Sequence, residues 1–516
     1  MTKSFKPRGA AICAALGVLV LAAAAPQYAQ AQGQVIANNV SITASGAVNT
    51  GTAASTTGYA LYALNGGAIT STGALALTTG GSTAYGAAAL SGGQITIHGG
   101  YGTSSAVTTG GYMASGLFAE GTGSKIFVTD TDITTNYSAG TVYAVQPRMN
   151  GTIELTGGSV KMPYATGGTA LYAFSGGAAY TATIKATDVQ VSAGGSRSYG
   201  AQANLNGSIE LLRGSVTTAG NNGYGLYTIG DGAFLTAAGA KVSTGGVDAA
   251  GVYVQQGSMK LADVDIDTTG MGGKGAMVDN ASSLTLTRGS VTTHGSNTSD
   301  TAPGLLALSA SVLTAKDTAI TTYGDGSYGA ASQFGSQVLL TGGSVATRGA
   351  SALGLFSVGL AGTTGASLTA DGVTVETTGA NSHGAAVLGG SSLTIQNGGS
   401  VTAEGAGAAA LYASPYDTNP STATVANSTL TSGQYAGILA VATTLNATLT
   451  HSSLNGAPAW WAADSTVSSV PTGSILPDMY IPQIEVKEAA CGLKRLLFFC
   501  AAYPNPNPPP QAGEGI

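Results

Sequence analysis

Charge is what this sequence most conspicuously lacks: Asp, Glu, Lys and Arg together make up 8% of the chain, against about 25% in an ordinary soluble domain. With a formal net charge of -6 and no basic patch, nucleic acid is excluded as a natural partner. Cysteine is equally scarce. One of the three stands at Cys13, and Gln32 to Val470 contains none. No disulfide framework can hold that region, so repeated packing and backbone hydrogen bonding must. Strong helix-forming stretches are missing too. Gly, Thr, Ser and Val dominate, all mediocre to poor in helices, and no 3.6-residue apolar stripe appears. The only long apolar run lies at the N-terminus. Lys3, Lys6 and Arg8 precede an uncharged stretch from Ala10 to Ala25, and Ala29-Gln30-Ala31 follows. This is the layout of a secretory signal, with cleavage expected after Ala31. The apolar stretch is short of the ~20 residues a membrane span needs.

What the chain has in abundance is glycine, 79 residues of it, placed with regularity. The repeating unit reads Gly-Leu/Ala-Tyr/x-Ala, a short gap, Gly-Ser-x-Ile/Leu-x-Leu, then Gly-Ser-Val-Thr-Thr-x-Gly. The first part recurs at Gly225-Leu226-Tyr227 and Gly251-Val252-Tyr253. The second recurs at Ile153-Glu154-Leu155, Ile209-Glu210-Leu211, Leu284-Thr285-Leu286 and Leu393-Thr394-Ile395. The third recurs at Ser215-Val216-Thr217-Thr218 and Ser290-Val291-Thr292-Thr293. Units follow one another at roughly 24 to 30 residues, the spacing of a solenoid. Within each segment apolar and small polar residues alternate, the period of a strand with one buried face. Three such strands make one triangular coil, which can bury its inner face only by stacking on its neighbours. The expected fold is all-β: a right-handed parallel β-helix of about fifteen coils with three short strands per coil. At about 4.8 Å per coil this is a rod on the order of 70 Å long. Domain boundaries follow: a signal peptide at 1–31, the β-helix at 32–470, and a divergent tail at 471–516 ending in Pro504-Asn505-Pro506-Asn507-Pro508-Pro509-Pro510.

These repeats, the N-terminal signal, and the segment Trp460-Trp461-Ala462-Ala463-Asp464-Ser465-Thr466-Val467 where the repeats end resemble the pertactin-like passenger domains of autotransporters. The resemblance covers about residues 35 to 470. It implies a non-enzymatic cell-surface or secreted passenger, an adhesin or virulence-type protein whose partner is a host or bacterial surface protein or a glycan. It also implies that Trp460, Trp461, Ser465 and Val467 open the junction that folds first during export. A complete member continues into an outer-membrane β-barrel, which needs at least about eight strands of about ten residues. Pro471 to Ile516 cannot supply them, so this tail departs from the family. The localisation implied is export through the inner membrane to the cell surface, outer membrane or medium, or to the periplasm if no barrel is supplied.

Candidate sites are few. The third position of the first strand is often aromatic: Tyr62, Phe118, Tyr143, Tyr172, Tyr227, Tyr253, Phe356 and Tyr412. Turned outward, these rings form a strip able to stack on sugar faces or dock a protein; packed along the rod, they only stabilise it. Asp263, Asp265 and Asp267 fall at alternate positions of one segment, and Asp130 and Asp132 repeat the pattern. Alternate carboxylates about 7 Å apart form a solvated face sooner than a calcium cage, so no metal and no cofactor are expected. The alternative function is a β-helical polysaccharide lyase or hydrolase, which needs paired carboxylates or a base with cationic neighbours. His98, His294, His383 and His451 lie in different coils with no recurrent partner, which speaks against it. In an oxidising compartment Cys491 and Cys500 can pair across a small loop.

Overall fold

The computed structural model describes residues 34–467 except 51–57, 100–102, 139, 296–300, 360–364, 415–418, 458–459 and 464–465, together with the strand Tyr28–Ala29. Ala31, Ser465 and the tail with Cys491 and Cys500 lie outside the described residues. Every regular element among the described residues is a β-strand, and the paired strands run parallel. The chain is a right-handed parallel β-helix of about fifteen coils, three strands to a coil.

One coil shows how the repeat folds. Tyr224–Ile229 lies on the first face, Phe234–Ala238 on the second and Lys241–Thr244 on the third. The chain then climbs to Ala250–Gln255, which pairs with Tyr224–Ile229 in register, Leu226 opposite Val252 and Tyr227 opposite Tyr253. Each face is thus a ladder of parallel strands. The first-face ladder runs from Val35–Asn38 to Trp460–Ala463, so the tryptophan segment is one more rung and not a departure from the repeat.

The core is a narrow column inside the triangle. Leu226, Leu235, Ala237 and Val242 of this coil are fully or almost fully buried. Their equivalents above and below form one continuous apolar cluster along the rod. Each buried Val, Leu or Ile stabilises by about 1.5–3 kcal/mol. In Ser-Val-Thr-Thr, the valine points in, the first threonine out, and the second threonine in again, as the burial of Ser215–Thr218 shows. The threonines of the repeat are therefore divided between the outer surface and the interior. Several of these inward hydroxyls bond to the carbonyl of the turn that follows, such as Thr293 to Ala302 at 2.8 Å and Thr377 to Ser382 at 2.7 Å.

The corners explain the remaining repeat residues. Between the first and second faces a serine turns inward and binds backbone of another coil. Ser336 donates to the Ala307 carbonyl at 2.8 Å and Ser391 to that of Ser357 at 2.8 Å. Between the second and third faces the chain bends through one or two residues of left-handed conformation. Asp188 (φ 57°), Arg213 (60°), Asp263 (53°), Arg288 (60°), Asp317 (51°) and Asn397 (57°) hold that place in successive or nearby coils, with glycine in others such as Gly239 (63°). Asn and Asp tolerate this region because their short side chains bond locally; Arg does not. The two arginines are held by the coil below. Arg213 donates to both carboxylate oxygens of Asp188 at 2.7 and 2.6 Å, and Arg288 to those of Asp263 at 2.6 and 2.7 Å. These hydrogen bonds keep both aspartates below the usual carboxylate range.

The glycine near the start of many first-face strands is there for room. A Cβ on Gly225 would run into the Val242 side chain across the interior and the Gly251 carbonyl of the next coil. The same obstruction recurs at Gly200 with Val216, Gly275 with Val291, and Gly384 with Val401.

Candidate ligand-binding surfaces

Because Gly225 and Leu226 both face the interior, the residues flanking them both face out. The first face therefore carries two aromatic columns three residues apart. One holds Tyr62, Phe118, Tyr172, Tyr227, Tyr253, Phe356 and Tyr412. The other holds Tyr143 and Tyr199, both in register with Thr169, and Tyr224, in register with Ala250. Tyr59 and Tyr85 precede their strands at the equivalent position, and Tyr328 and His383 open theirs. Tyr143 thus stands one column away from the expected one; Gln146 takes its place opposite Phe118. The second column went unread in the sequence, although it had a signal. Its residues sit just before the repeat glycine, as in Tyr85-Gly86, Tyr199-Gly200, Tyr224-Gly225 and Tyr328-Gly329.

The rings use their faces on one another. Tyr227 and Tyr253 stack at 5.3 Å between centroids, and Tyr224 meets Tyr253 edge-on at 5.1 Å. Tyr143 stacks on Tyr172 at 4.1 Å, and Tyr59 on Tyr62 at 4.5 Å. Tyr172, Tyr227 and Tyr253 are left only 7%, 6% and 8% exposed, while Tyr62, Tyr143 and Tyr412 are half-buried. The Tyr227 hydroxyl donates to Gln255 Oε1 at 2.9 Å. Burial, more than neighbouring charge, pushes the Tyr172, Tyr227 and Tyr253 hydroxyls well above the ordinary phenol value.

His383 closes the second column. Its ring stacks on Tyr412 at 4.3 Å, and its Nδ1 accepts a hydrogen bond from the Ala409 amide at 3.0 Å. Burial lowers its pKa to about 4 from the usual 6.5. The unfolded chain therefore binds more protons than the folded one between pH 6.5 and 4. Stability should be fully present above about 6.5 and fall as pH drops toward 4, by up to about 3 kcal/mol. Thermal melting of wild type and His383→Phe across this range checks it: the gap between the two should narrow or reverse with acid, and a constant gap would refute the assignment.

Ionisable side chains gather on the third face. Asp263 stays at its corner with Arg288, so the three aspartates do not share one face. Asp265 accepts from Ser290 at 2.7 Å. Asp267 Oδ1 lies 2.9 Å from His294 Nε2, in ion-pair range but without an aligned N–H···O bond. His294 stacks on Tyr323 of the coil above at 5.1 Å. Arg348 pairs with Glu376 at 2.6 Å. Asp265, Asp267, His294 and Lys241 line a shallow open depression of about 400 Å³. His294 thus has a carboxylate partner that the sequence did not reveal, because Asp267 reaches it across a coil. His98 bonds to Thr129 at 3.2 Å. Asp132 takes a hydrogen bond from Ser159, and Asp130 occupies a left-handed corner. Among the described residues no three His, Cys, Asp or Glu side chains converge as a metal site.

No protein-family model matches the chain, and no curated protein does. Solved structures do resemble it. A chain of the Vag8–C1 inhibitor complex, determined by cryo-electron microscopy, aligns at 15% identity and a TM-score of 0.44, covering 86% of this chain and 99% of that one. The A-modules of the mannuronan C-5 epimerases AlgE6 and AlgE4 of Azotobacter vinelandii align at 17% and 11% identity. Their TM-scores are 0.34 and 0.29, covering 67% and 80% of this chain and 92% and 91% of theirs. These values are too low to transfer an activity or a partner.

Proposed function

We propose that this chain is an exported, non-enzymatic passenger of the autotransporter kind, a rod that binds ligands of other cells or surfaces through its flanks. The observation that carries the reading is the solenoid itself, which follows a segment with the layout of a secretory signal and commits several of its sparse charges to inter-coil pairs: Asp188 with Arg213, Asp263 with Arg288, and Arg348 with Glu376. Such a rod displays a long surface and holds little chemistry. The aromatic columns of the first face, with half-buried Tyr62, Tyr143 and Tyr412, are one surface it presents. The Trp460–Val467 segment serves as the junction that nucleates folding during export, and the tail after 470 is a separate, Pro-rich element.

The test is expression of the full chain in a Gram-negative host. The exported protein should begin at Gln32 after cleavage behind Ala31, and the purified product should adhere to animal or bacterial cells. An uncleaved cytoplasmic product, or a folded rod that adheres to nothing, would overturn the reading. A second reading, a β-helical polysaccharide lyase or hydrolase, is favoured by one observation: Asp265, Asp267 and His294 around the third-face depression. Release of reducing ends or unsaturated products from polysaccharides would establish it.

A further inference from the structure

We infer that the third face between Lys241 and Tyr323 is a binding site for a neutral saccharide chain. The inference deepens the reading of the rod as a binder and rests on it, but it moves the contact from the first face to the third.

The two aromatic surfaces differ in what they have left to offer. The first-face rings are stacked on one another, and those at the centre, Tyr227 and Tyr253, are 6% and 8% exposed. Tyr323 is 50% exposed. One side of its ring lies on His294, which fixes its orientation without covering it. A ring held in this way is a platform for the apolar face of a sugar. Beside it the depression supplies what sugar hydroxyls need. Asp265 and Asp267 accept; Lys241 donates. Asp265 spends one acceptor position on Ser290, and a carboxylate has about four, so both aspartates keep capacity. The side chains of Asp267 and His294 are 50% and 44% exposed, within reach of a ligand.

Geometry sets the length. Lys241, Asp265 and Ser290 occupy one column in successive coils, and Tyr323 follows in the next coil. Three coil steps span about 14 Å. Tyr323 stands four residues further along the face than Ala319, which continues that column, so the site runs diagonally across the face, and an extended chain of sugar rings laid on that diagonal meets donor, acceptors and platform in turn. Charge sets the class. Two carboxylates face the depression against one lysine, and Arg348, the next cation along, is tied to Glu376. An acidic polysaccharide would be repelled where a neutral one would not.

The probes are the neutral hexasaccharides of cellulose, chitin, starch and mannan, with hexagalacturonate as the acidic comparison, added to the full exported chain. Binding is read by saturation-transfer NMR and calorimetry. At least one neutral hexasaccharide should bind, and more tightly than hexagalacturonate. Its affinity should fall at least tenfold in Tyr323→Ala and in Asp267→Asn. Both changes are on the outer surface, and circular dichroism would verify that the rod is intact. Binding by none of the neutral probes, equal affinity in both variants, or preference for hexagalacturonate would each overturn the site. Adhesion to cells without saccharide binding would remove this assignment and leave the broader proposal standing. Turnover of a probe that still depends on Asp267 and Tyr323 would do the reverse: the site would stand and the non-enzymatic reading would fall.

Discussion

Gly246→Ala should cost this protein about 3 kcal/mol or more, although it adds a single methyl group. At the corner between the third and first faces, glycines stand directly above one another. A Cβ on Gly246 would collide with the carbonyl of Gly220, one on Gly270 with that of Gly246, and one on Gly295 with that of Gly270. The obstacle is main chain, and it cannot rotate away as a side-chain terminus can. Relief requires the two coils to separate, which lengthens ladder hydrogen bonds on both sides and opens the core. Overpacking typically costs 1–3 kcal/mol, and a rigid backbone obstacle belongs at or above the top of that range. A solenoid coil contacts chiefly its neighbours, so the damage should be local. Hydrogen exchange should rise in coils around residues 220–270 before it rises elsewhere. Gly110→Ala is the control. It sits beside Gly111 in an equivalent turn with nothing within 4 Å of the added carbon and no positive φ. Its effect should lie within about 0.5 kcal/mol of zero. Equal stability losses in the two variants would show that glycine is not there for close approach.

The second large effect concerns the tyrosine columns. Replacing Tyr227 and Tyr253 together by Ser should remove about 3–5 kcal/mol, by analogy with large aromatic truncations in cores. Both rings are almost wholly covered, by each other and by Tyr199, Tyr224, Ile229 and Met277. Tyr227→Phe isolates the hydroxyl, whose bond to Gln255 is worth about 1 kcal/mol. Chemical denaturation of the three proteins would give these differences. The double variant also decides what the column is for. If it stays folded at low temperature and still adheres to cells, the rings are structural. If stability is unchanged while adhesion is lost, the rings belong to a ligand.

Much of the architecture was legible in the chain itself. Alternation in Ile209-Glu210-Leu211 and Ser215-Val216-Thr217 marks strands with one buried side, and the structure buries Ile209, Leu211 and Val216. The roughly 24–30-residue period forces stacking, because a coil that narrow has no core of its own. What the alternation could not give was the environment of each outward residue. Tyr143 and Tyr172 look equivalent in sequence, yet two inward residues at the start of the strand shift Tyr143 into the neighbouring column. Asp263 continues the alternation of Asp265 and Asp267, yet a left-handed bend takes it to a corner and to Arg288.

The sequence by itself determined the strand, the coil and the rod. Those depend on local period and on glycine, which the chain states residue by residue. Only the tertiary structure decided which side chains from different coils meet: His294 with Asp267, His383 with Tyr412, Tyr323 over His294. Such pairs lie some 25 to 30 residues apart, and their alignment depends on the length of every corner between them. One residue more or less in a turn would leave the strands intact and bring different side chains face to face.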